Sequence, residues 1–211
     1  MDKQKQFFIM KKKYFLFTLI SMCVLFQAKA SEPVRFGAVA GMNVSNYSIG
    51  LTSSRVGFHL GVKSEVSLSQ VTDGLFVDAR ALLSLKGANA IDVTISPYYL
   101  DVPVYITYKY NVNNDFALFA GAGPELGLGL FGSDGDGGSD GDGDGDGGND
   151  NVFGKDGDLN RFDFGLGFRG GIEIKNKYQI SVGYSLGLLN VFNDSFIAKN
   201  RNVAISLAYM F

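Results

Sequence analysis

The nine residues Val203-Ala-Ile-Ser-Leu-Ala-Tyr-Met-Phe211 decide the fold, because their side chains alternate in polarity. The large apolar side chains of this stretch are Val203, Ile205, Leu207, Tyr209 and Phe211. A period of two predicts a β-strand with one apolar face. At the edge of a soluble sheet such a strand would promote aggregation, whereas in a closed barrel its apolar face can contact lipid. The stretch therefore predicts a membrane-embedded β-barrel.

Residues 1–30 have the three parts of a secretory signal peptide. Met10-Lys-Lys-Lys13 supplies positive charge, residues 14–26 form an apolar core, and Ala28-Lys-Ala30 is a small-residue cleavage pattern. The apolar core is about thirteen residues long, which is shorter than the roughly 20 residues that a spanning helix needs. We therefore expect export, cleavage after Ala30 and a mature domain at residues 31–211.

The only cysteine, Cys23, lies within this signal segment, so the mature chain has no disulfide framework. A lipoprotein signal ending at Cys23 is an alternative that Met22 disfavours. Removing the signal segment takes away six Lys and one Asp, which leaves 13 basic and 20 acidic residues and a net charge of −7. This charge disfavours nucleic acid as a partner. A mean hydropathy of +0.09 is too polar for a helical membrane protein, and 28 Gly residues are too many for an average soluble domain.

Eight alternating segments predict an all-β fold, an eight-stranded antiparallel up-and-down transmembrane β-barrel. The segments span approximately residues 35–43, 55–67, 74–86, 98–110, 116–130, 161–175, 178–188 and 203–211. Short predicted turns alternate with longer predicted loops at 44–54, 87–97, 131–160 and 192–201. In outer-membrane barrels the turns face the periplasm and the loops face the outside. A soluble lipocalin-like barrel is the alternative, but it would place apolar side chains inside.

The polar face of the predicted strands carries charges of both signs. The side chains predicted to face the interior are Arg35, Arg55, Lys63, Arg80, Lys86, Lys109, Arg161, Arg169, Lys175, Glu65, Asp78, Asp101, Glu125, Asp163 and Glu173. Eight strands enclose a space that side chains fill. Because an unpaired buried charge is costly, we expect these groups to pair into a plug. An ion or small-solute path is the alternative.

A more specific resemblance begins in Tyr98-Tyr-Leu-Asp-Val-Pro-Val-Tyr-Ile-Thr-Tyr-Lys-Tyr110. Together with residues 164–174 and 178–184, this segment resembles the PorT-like outer-membrane β-barrel proteins of Bacteroidetes over the whole mature chain. The resemblance implies a Gram-negative outer membrane, a bulge at Pro103 and secretion-system proteins as possible partners. The strand ending in Phe211 also resembles the terminal signal of outer-membrane barrels, which implies the barrel-insertion machinery as a partner.

Residues 132–160 form a low-complexity loop that contains nine Asp and no Glu. Four of these carboxylates alternate with Gly at Asp140, Asp142, Asp144 and Asp146. Alternating Asp is typical of the first half of a calcium loop, but the bidentate Glu of the twelfth position is missing. Asn151 stands at that position when counting starts from Asp140. A solvated extracellular loop is the preferred interpretation, and weak Ca²⁺ binding by the four Asp residues is the alternative.

No motif in the sequence predicts catalysis or a resident cofactor. His59, the only histidine, is predicted to face the lumen as a hydrogen-bonded residue, and no serine motif accompanies it. We therefore expect a non-enzymatic outer-membrane protein, in contact with lipid, that has a structural role or presents its loops for binding. A component of a secretion or transport apparatus is the alternative, and a lipid-modifying enzyme is a third candidate.

Overall fold

The computed structural model describes residues 34–47, 53–86, 88–90, 93–136, 153, 160–190 and 199–211. The predicted signal segment 1–30 lies outside these residues. The strands are β1 Val34–Tyr47, β2 Ser53–Ser67, β3 Leu75–Leu85, β4 Ala88–Ala90, β5 Val93–Asn111, β6 Phe116–Asp136, β7 Phe162–Ile174, β8 Tyr178–Gly187 and β9 Asn200–Met210. No helix in this described part of the chain is long and apolar enough to cross a membrane.

The eight long strands pair antiparallel in chain order, and β1 pairs with both β2 and β9. The sheet is therefore closed, and the prediction of an eight-stranded antiparallel barrel is confirmed. Short connections at 68–74, 112–115 and 175–177 lie at one end of the barrel, which we call the turn end. The opposite ends of the strands, among them Tyr47 of β1, Leu85 of β3, Asp136 of β6 and Asn200 of β9, form the other end of the barrel, which we call the loop end.

Alternation along each strand separates an apolar exterior from a polar interior. In β2, Val62 is 61% exposed while Lys63 is 2% exposed. In β9, Leu207 is 59% exposed while Ser206 is 6% exposed. This arrangement is the inverse of a soluble barrel, so the lipocalin-like alternative is wrong. A continuous apolar exterior is stable where lipid solvates it.

Aromatic side chains border the apolar exterior at both ends. At the turn end the ring centroids of Tyr178 and Tyr209 are 5.3 Å apart, and Phe211 packs against Tyr209 at 5.7 Å. At the loop end the rings of Tyr98 and Phe131 are 4.8 Å apart. Two aromatic girdles mark the interfaces between apolar and polar surroundings in membrane barrels.

Several strands are longer at the loop end than the sequence predicts. β5 and β6 contain 19 and 21 residues, whereas roughly 9–11 residues cross a bilayer. The predicted loop 87–97 contains β4 and the start of β5, and residues 132–136 of the predicted loop 132–160 belong to β6. Residues 132–136 of β6 are Gly, Ser and Asp and show no apolar period. Val93-Thr-Ile-Ser96 at the start of β5 does alternate, but over too few residues to predict a strand.

A second difference is that the bulge expected at Pro103 lies elsewhere along β5 and β6. The register between β5 and β6 shifts between Tyr98 and Tyr99, and Leu130 is the extra residue on β6. Pro103 pairs in register with Glu125. On the β3 side the ladder keeps its register but omits the pairs at Val102 and Pro103. Proline has no N–H to donate, so the ladder is interrupted there without an inserted residue.

Candidate functional site: the barrel lumen

Asp78 on β3 is the centre of a buried cluster of charges in the turn-end half of the lumen. Asp78 is 0% exposed, and its carboxylate forms ion pairs with three cations. Lys63 Nζ lies at 2.6 Å, Arg80 Nε at 2.9 Å and Arg169 Nη2 at 2.8 Å. Three basic groups around one carboxylate are stable only if further anions lie nearby, because buried charges need compensation.

Two glutamates closer to the turn end supply that compensation. Lys109 Nζ lies 3.2 Å from Glu65 and 2.9 Å from Glu173, so it bridges the two carboxylates. Arg35 lies at the barrel mouth, and its Nη1 contacts Glu65 at 3.3 Å and Glu173 at 3.4 Å. Gln179 Nε2 also donates to Glu65 at 2.8 Å.

Lys63 joins the two groups, because its Nζ also lies 2.8 Å from Glu65 Oε1. We call the whole set the lumen ion network; its members are Arg35, Lys63, Glu65, Asp78, Arg80, Lys109, Arg169 and Glu173. The predicted pairing of interior charges is confirmed here, including that of Asp78, Arg80, Arg169 and Glu173. The network carries five basic and three acidic groups, a formal charge of +2.

Aromatic rings close the space beside Arg169. Its guanidinium lies 4.9 Å from the ring centroid of Phe119 and 5.7 Å from that of Tyr105. Such contacts stabilise a cation whose Nε and Nη1 find no hydrogen-bond partner among the described residues. The hydroxyl of Tyr105 in turn donates to Glu125 in the loop-end half.

His59 connects three strands at the closure of the barrel. Its Nε2 lies 2.9 Å from Ser206 Oγ on β9, and its Nδ1 is hydrogen-bonded to Asn43 Oδ1 on β1. Asn43 Nδ2 donates onward to the carbonyl of Leu85 at 2.9 Å. Gly41 makes room for the imidazole, since a Cβ there would lie 2.5 Å from His59 Cε1. The prediction of a hydrogen-bonded lumen histidine is confirmed.

Ser206, His59 and Asn43 are hydrogen-bonded in the same order as the nucleophile, the base and the orienting residue of an acyl-transfer triad. Sequence reasoning missed Ser206, because it stands 147 residues from His59 and no local motif marks it. The adjoining cavity has a volume of about 50 Å³, which is space for a few waters. An acyl chain does not fit there, so the arrangement supports a structural role for the three side chains.

We expect His59→Ala to destabilise the barrel by about 1–3 kcal/mol, because Asn43 and Ser206 would lose a buried partner. Urea unfolding in phospholipid vesicles measures this loss, with Gln70→Ala in the exposed 68–74 turn as the control. A fluorophosphonate probe should leave Ser206 unlabelled in the folded barrel. Labelling of Ser206 would contradict the structural role.

Phe153 packs into the loop end of the lumen, against β5 and β6. Its ring is 3% exposed and packs edge-on against Tyr99, with centroids 5.5 Å apart. A Cβ on Gly129 would lie 2.4 Å from this ring, so the position opposite Phe153 requires glycine. Arg161 Nε donates to the Phe153 carbonyl at 2.9 Å. The sequence analysis missed Phe153, because a lone aromatic in the Asp/Gly-rich segment belongs to no periodic pattern.

Two charges predicted to face the interior do not. Arg161 precedes the first residue of β7, and Lys175 lies in the turn after β7 with a φ of 52°. Both side chains are exposed. The alternation holds only while the chain is a strand, so the prediction was wrong at the two positions where the strand has ended.

The calcium candidates Asp140, Asp142, Asp144 and Asp146 lie outside the described residues. Within the described residues, no group of three or more His, Cys, Asp and Glu side chains could hold a metal ion. Weak Ca²⁺ binding by the Asp/Gly-rich loop therefore stays a prediction.

Comparison with solved structures gives similar barrels at low sequence identity. Neisserial surface protein A is 16% identical, covers 85% of this chain and 100% of its own, and superposes with a TM-score of 0.50. Ail, the attachment invasion locus protein of Yersinia pestis, is 13% identical, also covers 85% of this chain and 100% of its own, and has a TM-score of 0.47. The N-terminal β-barrel domain of Pseudomonas aeruginosa OprF is 9% identical, covers 83% of this chain and 97% of its own, and has a TM-score of 0.37. No curated protein matches the chain.

At these identities, the likeness to Neisserial surface protein A shows the fold alone. The profile of the outer membrane protein beta-barrel domain matches residues 15–211, which is most of the chain. The chain therefore belongs to the outer membrane protein beta-barrel domain family.

Proposed function

We propose that this protein is a non-enzymatic outer-membrane barrel that presents its loop end for binding at the cell surface. The filled lumen is the observation that carries the proposal. The ion network occupies the turn-end half, and Phe153 packs into the loop end. A lumen filled by its own side chains in this way favours a function at the surfaces that the barrel exposes.

The loop end offers the surface for such binding. β5 and β6 extend well past the length needed to cross a bilayer, and β4 pairs with β2 and β5 at the same end. Residues 137–161, which link β6 to β7, hold most of the Asp residues of the Asp/Gly-rich segment. A rigid β-extension that carries a polar loop is suited to recognition, since binding residues are commonly held on loops over a rigid scaffold.

The proposed orientation predicts which connections are accessible on intact cells. An epitope inserted at Gly138, in a loop-end connection, should be labelled by antibody without permeabilisation. The matched insertion at Asn113, in a turn-end connection, should be labelled only after the outer membrane is opened. The opposite pattern of labelling would overturn the orientation and with it the proposal.

The binding role itself is tested by capture from native outer membranes. We expect the wild-type barrel to retain a surface ligand or protein that is lost by a variant in which residues 138–152 are replaced by a Gly-Ser linker of the same length, while the Asn113 insertion retains it. The replacement keeps the number of residues between β6 and Phe153, so that Phe153 can still reach Gly129. Identical capture by wild type and by the replacement variant would contradict loop presentation.

A second candidate is a component of a secretion or transport apparatus. The observation in its favour is the PorT-like segment 98–110, which forms most of β5. In the same capture experiment, this candidate predicts stable recovery of secretion-system proteins that does not depend on residues 138–152. Recovery of the barrel alone would contradict it.

A further inference from the structure

A small polar cavity lies in the loop-end half of the lumen, between the ion network and Phe153. Its volume is about 20 Å³, enough for one water-sized species. The charged and amide side chains that line it are Lys86, Asp101, Glu125, Asp163, Asn200 and Asn202. This cavity is separate from the surfaces used in the proposed binding role.

Three oxygen atoms of the lining have no hydrogen-bond partner among the described residues. They are Asp163 Oδ1, Asn200 Oδ1 and Asn202 Oδ1. Asn200 and Asn202 are only 5% and 7% exposed, so bulk water does not solvate them. All three atoms are acceptors, and leaving buried acceptors without a partner is costly. The cavity therefore needs an occupant that interacts with oxygen lone pairs.

The charge of the lining is also unbalanced. Asp101, Glu125 and Asp163 face a single ammonium, that of Lys86, which gives the cavity lining a formal charge of −2. Lys86 Nζ is held by Asp101 at 2.8 Å. Among the described residues, Asn200 Nδ2 donates to Asp163 Oδ2 at 3.2 Å, and Asp163 Oδ1 has no donor. The unpaired acceptors thus lie where a positive charge is missing.

We propose that this cavity binds one monovalent alkali cation, Na⁺ or K⁺, through Asp163, Asn200 and Asn202. A bare alkali ion is about the size of the one water molecule that the cavity admits. Two of the three available ligands are neutral amides, whereas a divalent ion such as Ca²⁺ takes 6–8 oxygen ligands, several of them from carboxylates. The bound ion would tie β7 to β9 at the loop end.

The first test compares the folding equilibrium of the refolded full-length mature barrel in NaCl, KCl and N-methyl-D-glucamine chloride at equal ionic strength. At ten times its Kd, a bound ion raises the ratio of folded to unfolded protein about elevenfold. Asp163→Asn should abolish the difference between the salts. Asp73→Asn, which removes the same charge from an exposed turn, should preserve it.

A crystal of the wild-type barrel soaked in Tl⁺ or Rb⁺ gives a second readout, independent of whether Asp163→Asn folds. The proposal predicts an anomalous peak within coordination distance of Asp163 Oδ1 and of at least one of the two amide oxygens. Equal stability in the three salts together with the absence of this peak would overturn it, and water would then fill the cavity. Stabilisation by Ca²⁺ but by neither alkali ion would also overturn it.

Discussion

Replacing Asp78 with asparagine should destabilise the folded barrel by about 3–5 kcal/mol, because breaking a buried ion pair leaves uncompensated charge. Asp78 is fully buried, and the cations Lys63, Arg80 and Arg169 lie within 2.9 Å of it. The variant keeps the shape of the side chain, removes its charge and replaces one acceptor oxygen by an NH2 donor. Equilibrium unfolding in urea with the barrel in phospholipid vesicles gives the free energy. Tyrosine fluorescence and far-UV circular dichroism can follow it, because the chain contains no Trp.

Asp73→Asn, in the exposed turn between β2 and β3, is the matched control and should change stability by less than about 0.5 kcal/mol. The double variant Asp78→Asn/Lys63→Met should lose less stability than the sum of the losses of its single variants, because it also removes one of the cations that Asp78→Asn leaves without a partner carboxylate. Additive losses would mean that Asp78 and Lys63 are not coupled. A near-neutral Asp78→Asn would contradict the account of the ion network.

Placing an arginine at Ile205 should destabilise the barrel by about 2–4 kcal/mol in a bilayer, which is the cost of a lipid-facing Arg near the midplane. Ile205 lies midway along β9, is 57% exposed and stands between Met42 of β1 and Val182 of β8. In water, a substitution at such an exposed position would have little effect. The size of the loss of stability therefore shows whether lipid or water contacts the outer face of the barrel.

Val71→Arg is the control for this experiment. Val71 is 73% exposed, but it lies in the 68–74 turn rather than on the apolar exterior. We expect vesicle-embedded Val71→Arg to unfold at nearly the wild-type urea concentration. Equal losses for the two variants would show that the substitution itself, rather than lipid contact, is responsible.

The architecture could be predicted because a membrane barrel repeats one local rule. Each residue pair along β2, such as Val62 and Lys63, alternates between lipid and lumen, so a period of two identifies the strand and its faces together. The same rule placed His59 inside and indicated that Asp78 and Glu173 would meet opposite charges. Which residues pair, however, depends on register and on the curvature of the closed sheet, which the local pattern does not contain.

The features that the sequence did not predict are non-local or lack a period. Ser206 meets His59 only because β9 and β1 close the barrel. Phe153 reaches Tyr99 from a segment without regular alternation. β4 and the outer part of β5 are held by backbone pairing, and each covers too few residues for a period of two to be recognised. Arg161 and Lys175 were misplaced because the pattern does not mark where a strand ends.

The filled lumen is the central claim of this account, and conductance across a planar lipid bilayer tests it most directly. Purified wild-type barrel should show no steady open-channel current, because the ion network fills the turn-end half of the lumen and Phe153 packs into its loop end. Protein from the same preparation should migrate differently on gels before and after boiling, which shows that folded barrels were inserted. Large, stable currents from such barrels would contradict the filled lumen and the function proposed from it.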